Sequence, residues 1–204
     1  MRRVVVTGLG IVAPRGNDAQ SAWQNAVAGR TAVSRISSFD SSAFPVRIAA
    51  EVKDLDLARV MDAKTARQTT RFIQFAAVAA REAILDSGLD LGNNAHRYGC
   101  CIGSSIGGIE FIQQQSVKLS EQGPRRVSPL LVPYAIGNMA AGFTAISEHL
   151  RGPNFCVTTA CASGTHALGE AFLHIRGGTA DAMLAGGSDA CVTPLVVAGF
   201  ANMR

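Results

Sequence analysis

Short apolar runs alternate with longer segments of helical periodicity along this 204-residue chain. Four of the apolar runs, at residues 3–7, 98–102, 154–157 and 181–185, have the composition and length of strands. Strands that consist of continuous apolar residues are typical of a parallel sheet whose two faces are covered by helices. The alternation therefore predicts an α/β fold.

The segments between these runs carry apolar residues at helical spacing. The first long helix is expected to begin near Thr65 and to end at Ser87, with one apolar face formed by Phe72, Phe75, Ala76, Ala79 and Ala83. Further helices are predicted after the Gly-rich turn at 103–108 and at residues 134–149. Another is expected to begin at Ala162 and to end at Gly177, with an apolar face formed by Leu168, Ala171, Phe172 and Ile175. Residues 31–60 are irregular and polar, which indicates a surface excursion.

The composition limits the classes of protein that the chain could belong to. With 48% hydrophobic and 17% charged residues, it can bury the core of one domain, or of one large half of a bigger protein. The formal charge of +4 comes from scattered arginines, which does not indicate nucleic acid binding. No apolar run reaches the length of about 18 residues that a membrane span needs. The opening MRRVVVTGLG is expected to be a first strand and not a signal peptide.

The chain has five cysteines, an odd number, and no pair of them has the C-x-x-C spacing of a zinc or redox site. Reduced thiols in a cytoplasmic protein fit this pattern best, and no metal or cofactor is expected. We expect Cys100, Cys101, Cys156 and Cys191 to be structural, because they lie within or beside apolar runs.

Cys161 is different, because it lies between a predicted strand that ends at Val157 and a predicted helix that begins at Ala162. This is the arrangement of a nucleophile elbow, where helix-terminal amides stabilise negative charge on the sulfur and on a nearby oxyanion. The small residues around it, TACASG, suit such a crowded turn. From these residues alone two interpretations stay open: an exposed nucleophile, or a small apolar side chain that fills a corner.

No histidine is a convincing base for this cysteine. His166 follows by five residues, which is about 500° around a helix and turns its side chain away from Cys161. His174 has the same difficulty, His149 closes another helix, and His96 lies in a polar loop.

Two glycine-rich turns resemble nucleotide-binding motifs only weakly. Gly8, Gly10 and Ala13 match the dinucleotide pattern, but Pro14 follows directly and no acidic residue stands about 20 positions later. A tight turn after the first strand is therefore favoured. The GSSIGG turn at 103–108 has no Lys-Ser/Thr of a phosphate loop, and we expect its glycines to allow another segment to approach closely.

Together, these stretches resemble one family, the β-ketoacyl-acyl carrier protein synthases, and within it the elongating type II enzymes. The resemblance is carried by RRVVVTGLG, GSSIGGIE, GPRRVSPLLVP, TACASG and AGGSDACVTPLVVAGF, which cover the whole chain. It implies a thiolase-like α/β fold, of which this chain is the N-terminal α-β-α half of a five-layer α-β-α-β-α sandwich. Residues 1–204 would then form the half that carries the nucleophile, while the catalytic histidines belong to a C-terminal half that is absent from this sequence.

The resemblance also implies a reaction and its residues. Cys161 would accept an acyl chain from acyl carrier protein and condense it with the carbanion formed by decarboxylation of the malonyl carrier protein, as in fatty acid elongation. Ile106 would gate the acyl pocket, Phe200 would line it, and Leu131 would lie in a loop that crosses the pocket of a partner subunit in a homodimer. Ordinary core packing is the alternative for Ile106 and Phe200.

The family's carrier protein is acidic, and five basic residues stand at positions similar to its contacts. These residues are Lys64, Arg67, Arg71, Arg125 and Arg126. Solvated surface charge is the alternative for each of them. Two other functions stay open: a type II polyketide ketosynthase, and a catalytically incomplete truncated or partner chain. If the chain is half of a sandwich, it should expose apolar helix faces and associate with itself when made alone.

Overall fold

The computed structural model describes residues 2–92 and 94–203. Its helices are α1 (Ala19–Val27), α2 (Ala63–Gln68), α3 (Arg71–Ser87), α4 (Ile109–Gln122), α5 (Leu131–Ala135), α6 (Met139–Ser147), α7 (Ser163–Gly177) and α8 (Pro194–Asn202). Its strands are β1 (Val33–Arg35), β2 (Ile48–Ala50), β3 (Tyr98–Gly103), β4 (Asn154–Phe155) and β5 (Ala182–Gly187).

A three-stranded parallel sheet with the order β4-β3-β5 forms the centre of the structure. All six residues of β3 pair with β5, from Tyr98 with Ala182 to Gly103 with Gly187. Only Cys100 and Cys101 pair with β4, which is shorter than the predicted strand at 154–157. The three central strand predictions are therefore confirmed in type and position.

Helices cover both faces of this sheet, which confirms the predicted α/β class. Cys100 points into a core of α3 and α6 side chains whose most buried members are Phe72, Ile73, Ala140 and Ala141. Cys101, the next residue, faces the opposite side, because side chains alternate along a strand, and there it lies near Glu170 of α7. The sheet thus separates an α3/α6 layer from an α7 layer, which makes an α-β-α arrangement.

The prediction of a first strand at 3–7 is wrong. Residues 2–12 form no ladder with another described segment and run along α3 instead. The amide of Leu9 donates to Asp86 (2.9 Å) and that of Ile11 to Glu82 (2.8 Å). A side chain at Gly10 would collide with the carbonyl of Ala79, so glycine allows this approach. The close fit on a helix, and not a dinucleotide turn, accounts for these glycines.

Arg2 fixes the beginning of this segment near the start of β5. Its guanidinium lies 2.6 Å from Asp181, which also binds Arg97 at 2.9 Å. Hydrogen bonds from Arg97 and then from Arg2 hold the pKa of the Asp181 carboxyl well below its ordinary value. The N-terminal segment is therefore tied to β5 by an ion pair although no strand pairing joins them.

Two predicted helices are each divided in the structure. The helix expected from Thr65 to Ser87 is broken where Thr69 and Thr70 adopt extended backbone, because the hydroxyl of Thr70 donates to the carbonyl of Tyr134 at 3.0 Å. The helix expected at 134–149 is likewise divided into α5 and α6. Residues 31–60 hold the small antiparallel pair β1 and β2, and are otherwise irregular as predicted.

The apolar face predicted for the helix after Cys161 is largely wrong. Small residues of α7, namely Ser163, Ala167 and Ala171, are the buried ones. Leu168 and Phe172 are 54% and 42% exposed. The sheet is rich in glycine where α7 crosses it, so small side chains pack best there, and the larger ones point away from it.

Three glycines let the carboxyl ends of β3 and β5 touch the first turn of α7. A Cβ at Gly103 would lie 2.5 Å from the carbonyl oxygen of Ser163. A Cβ at Gly187 would lie 2.9 Å from Cα of Gly164. Backbone therefore packs against backbone, and this contact sets the position of the turn that precedes α7.

The helices of the described segments, 2–92 and 94–203, include none with the length and apolarity that crossing a membrane requires.

We predict that Gly103→Ala lowers the free energy of unfolding by about 1–3 kcal/mol, because the added methyl group forces the start of α7 away from the sheet. Gly169→Ala is the matched control, since a Cβ at Gly169 meets nothing within 4 Å. It should stabilise the helix by up to about 1 kcal/mol. Urea unfolding followed by circular dichroism measures both variants. Equal stability of the two would contradict the close packing.

Candidate active site at the carboxyl edge of the sheet

Three turns meet where β3, β4 and β5 end. The turn after β3 is joined to the turn after β4 by two hydrogen bonds, from the amide of Ser104 to Val157 O (3.3 Å) and from the Thr158 hydroxyl to Ser104 O (3.0 Å). The Ser104 hydroxyl also donates to Asp189, after β5, at 2.9 Å. Carboxyl ends of parallel strands are a common place for ligand and catalytic sites.

Cys161 lies in the tight turn between β4 and α7. Ala160 has a left-handed backbone (φ 50°), which costs a non-glycine residue about 1 kcal/mol. Ser163 stabilises the turn, because its hydroxyl donates to Ala160 O (2.7 Å) and accepts from the amide of Thr159 (2.9 Å). The amides of Ala162 and Ser163 also donate within the turn, to Thr159 and Ala160. The geometry is that of a sharp strand-to-helix turn with the cysteine at its tip.

The Cys161 side chain is exposed, in contrast to the two cysteines of β3. Cys100 and Cys101 are both fully buried. Burial, followed by the neighbouring Cys101, raises the pKa of Cys100 to about 12. Burial raises the pKa of Cys101 to about 11, with smaller contributions from Cys156 and Glu170. An exposed thiol does not fill a packed corner, so the geometry favours the nucleophile interpretation of Cys161.

Cys191 lies close to Ser105, Asp189 and Cys161, and it is half-buried. Burial and then the charge of Asp189 raise the pKa of its thiol, while a hydrogen bond with Ser105 opposes the rise. The Cys161 thiol is also close enough to act on this pKa. Cys191 therefore stays protonated beside the exposed Cys161.

The histidines nearest to this turn contact threonines. His166 Nδ1 lies 3.4 Å from Thr159 Oγ1, and its Nε2 lies 3.4 Å from Glu170. His174 Nδ1 lies 2.7 Å from Thr179 Oγ1. His166 thus contacts the side chain of Thr159, two residues before Cys161, and the expectation that both histidines turn away from the thiol stays a prediction.

The three residues expected to form an acyl pocket lie on three separate elements. Ile106 is in the turn after β3, 44% exposed, and that turn is hydrogen-bonded to the turn that leads to Cys161. Phe200 is 67% exposed on α8, whose first turn is bound through Leu195 N to Gln113 of α4 (3.2 Å). Leu131 begins α5 and is half-buried. The structure thus brings the segments of Ile106 and Cys161 together, and leaves Phe200 uncovered.

The five basic residues expected to bind a partner fall into two groups. Lys64 and Arg67 lie on α2 and Arg71 begins α3, while Arg125 and Arg126 lie in a single turn of 3-10 helix after α4. Arg67 and Arg71 line one cleft of about 200 Å³ together with Glu110 and Gln114 of α4. Arg71 also donates to Val52 O (2.9 Å), and its guanidinium lies 4.8 Å from the centre of the Phe75 ring.

The residue that sequence reasoning missed is Asp189. Its carboxylate accepts hydrogen bonds from the Ser104 hydroxyl (2.9 Å), the Ser105 amide (3.0 Å) and the Ile106 amide (3.4 Å). A signal was available, because Asp189 follows the apolar run that forms β5 and the carboxyl ends of neighbouring parallel strands share one edge. In the described segments, no group of three or more His, Cys, Asp or Glu side chains could hold a metal ion.

The whole chain matches the model of a known protein family. The model for the β-ketoacyl synthase N-terminal domain matches residues 1–204. The 3-oxoacyl-[acyl-carrier-protein] synthase 2 of Coxiella burnetii is 48% identical over 204 residues, which are all of this chain and 49% of that protein. The enzymes of the same name from Synechocystis and Staphylococcus aureus are 44% identical with the same coverage. The chain spans about half the length of the curated relatives it matches.

Solved structures of ketosynthases have the same fold as this chain. The ishigamide ketosynthase/chain length factor superposes with a TM-score of 0.91 at 29% identity, over 99% of this chain and 51% of that one. A β-ketoacyl synthase from Burkholderia phymatum gives a TM-score of 0.83 at 28% identity, over 100% of this chain and 50% of that one. A type II polyketide ketosynthase in complex with its acyl carrier protein shares the fold, with a TM-score of 0.77 at 23% identity, over 98% of this chain and 54% of that one.

We predict that iodoacetamide at pH 8 modifies Cys161 at least about tenfold faster than Cys100, Cys101 or Cys191, because their thiols are more buried and have raised pKa values. Peptide mapping by mass spectrometry gives the rate at each cysteine. In concentrated urea, where these environments are lost, the rates should converge. Uniform labelling of the folded protein would contradict the assignment.

Proposed function

The chain belongs to the β-ketoacyl synthase family, and on that premise we propose that it is the nucleophile-bearing half of a chain-elongating 3-oxoacyl-acyl carrier protein synthase. The observation that carries the proposal is the exposed thiol of Cys161 at the tip of the turn between β4 and α7. Covalent acyl transfer needs a nucleophile that is accessible and held rigidly, and the hydrogen bonds of Ser163 supply that rigidity.

The first chemical step is transfer of an acyl group to Cys161. The sulfur attacks the thioester carbonyl of acyl carrier protein, the carbonyl oxygen becomes an oxyanion, and the carrier thiol leaves with the proton that the cysteine loses. The amides of Ala162 and Ser163 already donate within the turn. The family resemblance implies that the N–H of Cys161 itself supplies one contact to the oxyanion.

The second step is a decarboxylative Claisen condensation. Loss of carbon dioxide from the malonyl group generates the carbanion that attacks the acyl-cysteine, so no strong base is required. The product is a 3-oxoacyl chain longer by two carbons, and the sulfur of Cys161 is released. By the family resemblance, the histidines that drive decarboxylation belong to the other half. We propose that residues 1–204 alone accept the acyl group and do not complete the condensation.

The exposed apolar surface supports the proposal that residues 1–204 are one half of a sandwich. Leu168, Phe172 and Leu173 on the outer face of α7 are between 42% and 56% exposed. Val5 and Val6, in the unpaired N-terminal segment, are 61% and 79% exposed. Apolar surface of this kind normally marks an interface. Covering it with a second α/β half would complete the five-layer arrangement.

Fatty acid elongation is favoured over polyketide synthesis. The curated relatives at 44–48% identity are 3-oxoacyl-[acyl-carrier-protein] synthases, whereas the ishigamide ketosynthase/chain length factor is 29% identical. The thiol at the turn also argues against a purely non-catalytic partner chain, which has no need of a nucleophile there.

For partners, we propose acyl carrier protein in its acyl and malonyl forms, and a second copy of this chain. Arg67 of α2 and the arginines of the turn at Pro124–Arg126 are exposed and suit contact with an acidic protein. Ile106 would then gate the acyl pocket and Phe200 would line it, while Leu131 would reach the pocket of the second subunit. The five unpaired cysteines support a reducing, cytoplasmic location.

We expect a long-chain acyl carrier protein to transfer its acyl group to Cys161 alone. Mass spectrometry of the intact chain and of its peptides locates the thioester. Cys161→Ala should abolish the modification, and Cys156→Ala should retain it. Acylation that persists in Cys161→Ala, or that appears at another cysteine, would contradict the proposal.

The carrier protein surface has its own test. Arg67→Glu and Arg126→Glu should each slow acylation by acyl carrier protein about tenfold at low salt, because the partner is acidic. Modification by iodoacetamide, a small neutral reagent, should be unchanged. Arg30→Glu, just beyond α1, is the control. An equal effect of all three variants would indicate a general charge effect and not a docking surface.

A further inference from the structure

We propose that Asp189 is a positioning residue that fixes the Ile106 turn and thereby controls which chain lengths reach Cys161. The inference deepens the proposed acyl-transfer function and rests on it for its biological meaning. It depends on three hydrogen bonds, from the Ser104 hydroxyl and from the amides of Ser105 and Ile106, which we call the Asp189 network.

One carboxylate, that of Asp189, organises the whole turn that carries Ile106. It accepts the amides of Ser105 and Ile106 directly. It also binds the Ser104 hydroxyl, whose oxygen in turn accepts the amide of Gly107 at 3.0 Å. Donation to a carboxylate strengthens the hydroxyl oxygen as an acceptor, so the two bonds support each other. Three consecutive amides, 105–107, are thus fixed by one anionic group.

Backbone of α5 closes one side of this turn. Gly107 has a left-handed backbone (φ 58°) and lies so close to the end of α5 that a Cβ would be 2.8 Å from Ala135 O. A Cβ at Gly108 would be 2.5 Å from Tyr134 O. The turn is therefore held by close packing against α5 and by the Asp189 network.

The backbone next to Asp189 is held rigidly. The neighbouring Ser188 is buried, its hydroxyl donates to Phe72 O at 2.6 Å, and its amide donates to Gly103 O at 3.0 Å. The carboxylate therefore projects from a segment after β5 that is bound to β3 through Gly103 and to α3 through Phe72.

The turn that carries Ile106 is hydrogen-bonded to the segment that leads to Cys161. Ser104 is hydrogen-bonded to Val157 and Thr158, which lead to Cys161. Ile106 is an apolar side chain, 44% exposed, on the turn that is bound in this way to the segment before Cys161. A fixed Ile106 hinders long chains, and release of the turn lets the side chain move away. Asp189 thus sets the discrimination between long and short chains without contacting them.

The test uses two maleimides that differ only in chain length, N-methylmaleimide and N-octylmaleimide, and compares their second-order rate constants at Cys161. Asp189→Asn should raise the octyl-to-methyl ratio about fivefold, because it removes the charge that holds the turn. Asp189→Glu keeps the carboxylate and should return the ratio towards the native value. Asp40→Asn is the matched control, because Asp40 also accepts a backbone amide in a turn, that of Ser42 at 2.9 Å. It should leave the octyl-to-methyl ratio unchanged.

Hydrogen exchange provides a second measurement. The amides of residues 105–107 should be protected in the native chain although they lie outside every helix and strand, and Asp189→Asn should increase their exchange about tenfold. Rapid exchange of these amides in the native chain would overturn the proposal. So would an unchanged octyl-to-methyl ratio in a folded Asp189→Asn variant.

Ser104→Ala removes the hydroxyl from the network and covers the case in which Asp189→Asn fails to fold. It should raise the same ratio, and a native ratio in this folded variant would overturn the proposal. The maleimides need no carrier protein, so the experiment distinguishes failure of the proposed acyl-transfer function from failure of the Asp189 proposal. Absence of acylation by acyl carrier protein, together with a raised ratio in Asp189→Asn, would contradict the proposed function and support Asp189 as the residue that controls access to Cys161.

Discussion

The close contact between the sheet and the first turn of α7 is the constraint on which the rest of this structure depends. Gly103, Gly164 and Gly187 allow backbone to meet backbone there, and any side chain would separate the layers. The contact fixes the direction in which α7 leaves the sheet and therefore the location of the turn before it. The left-handed Ala160 and the exposed Cys161 thiol follow from that geometry.

The same edge shows how a strained turn is maintained. Ala160 holds an unfavourable backbone conformation, and Ser163 compensates with two hydrogen bonds to the turn. Across the edge, Asp189 performs a similar role for the turn that carries Ile106. In each case a polar side chain satisfies backbone groups of a turn: Ser163 acts within its own turn, and Asp189 acts on the turn that follows β3. The exposed Cys161 thiol thus lies in a region whose backbone is held by internal hydrogen bonds.

Much of this could be predicted from local sequence, and the errors have physical causes. The central strands and the turn at Cys161 were predictable because apolar runs and small residues report on local geometry. The strand at 3–7 was wrong because a strand needs a partner, and partners are set by the tertiary structure. The break at Thr69 and Thr70 depends on a bond to Tyr134, and Asp189 depends on the alignment of β3 with β5. A window of neighbouring residues shows neither the strand partner nor the bond to Tyr134, and for Asp189 it shows only that the residue follows an apolar run.

The pairing of β3 directly with β5 also has a consequence for how the chain is made. Arg97 and Asp181, which meet beside the first rung of this ladder, are 84 residues apart in sequence. A ribosome releases the chain from its N-terminus, so Cys161 emerges before the strand that completes its surroundings. Closing so long a loop is slow compared with forming the helices. The first turn of α7, which follows Cys161, therefore lacks its contact with β5 during synthesis, and it gains that contact only when residues 182–187 have docked.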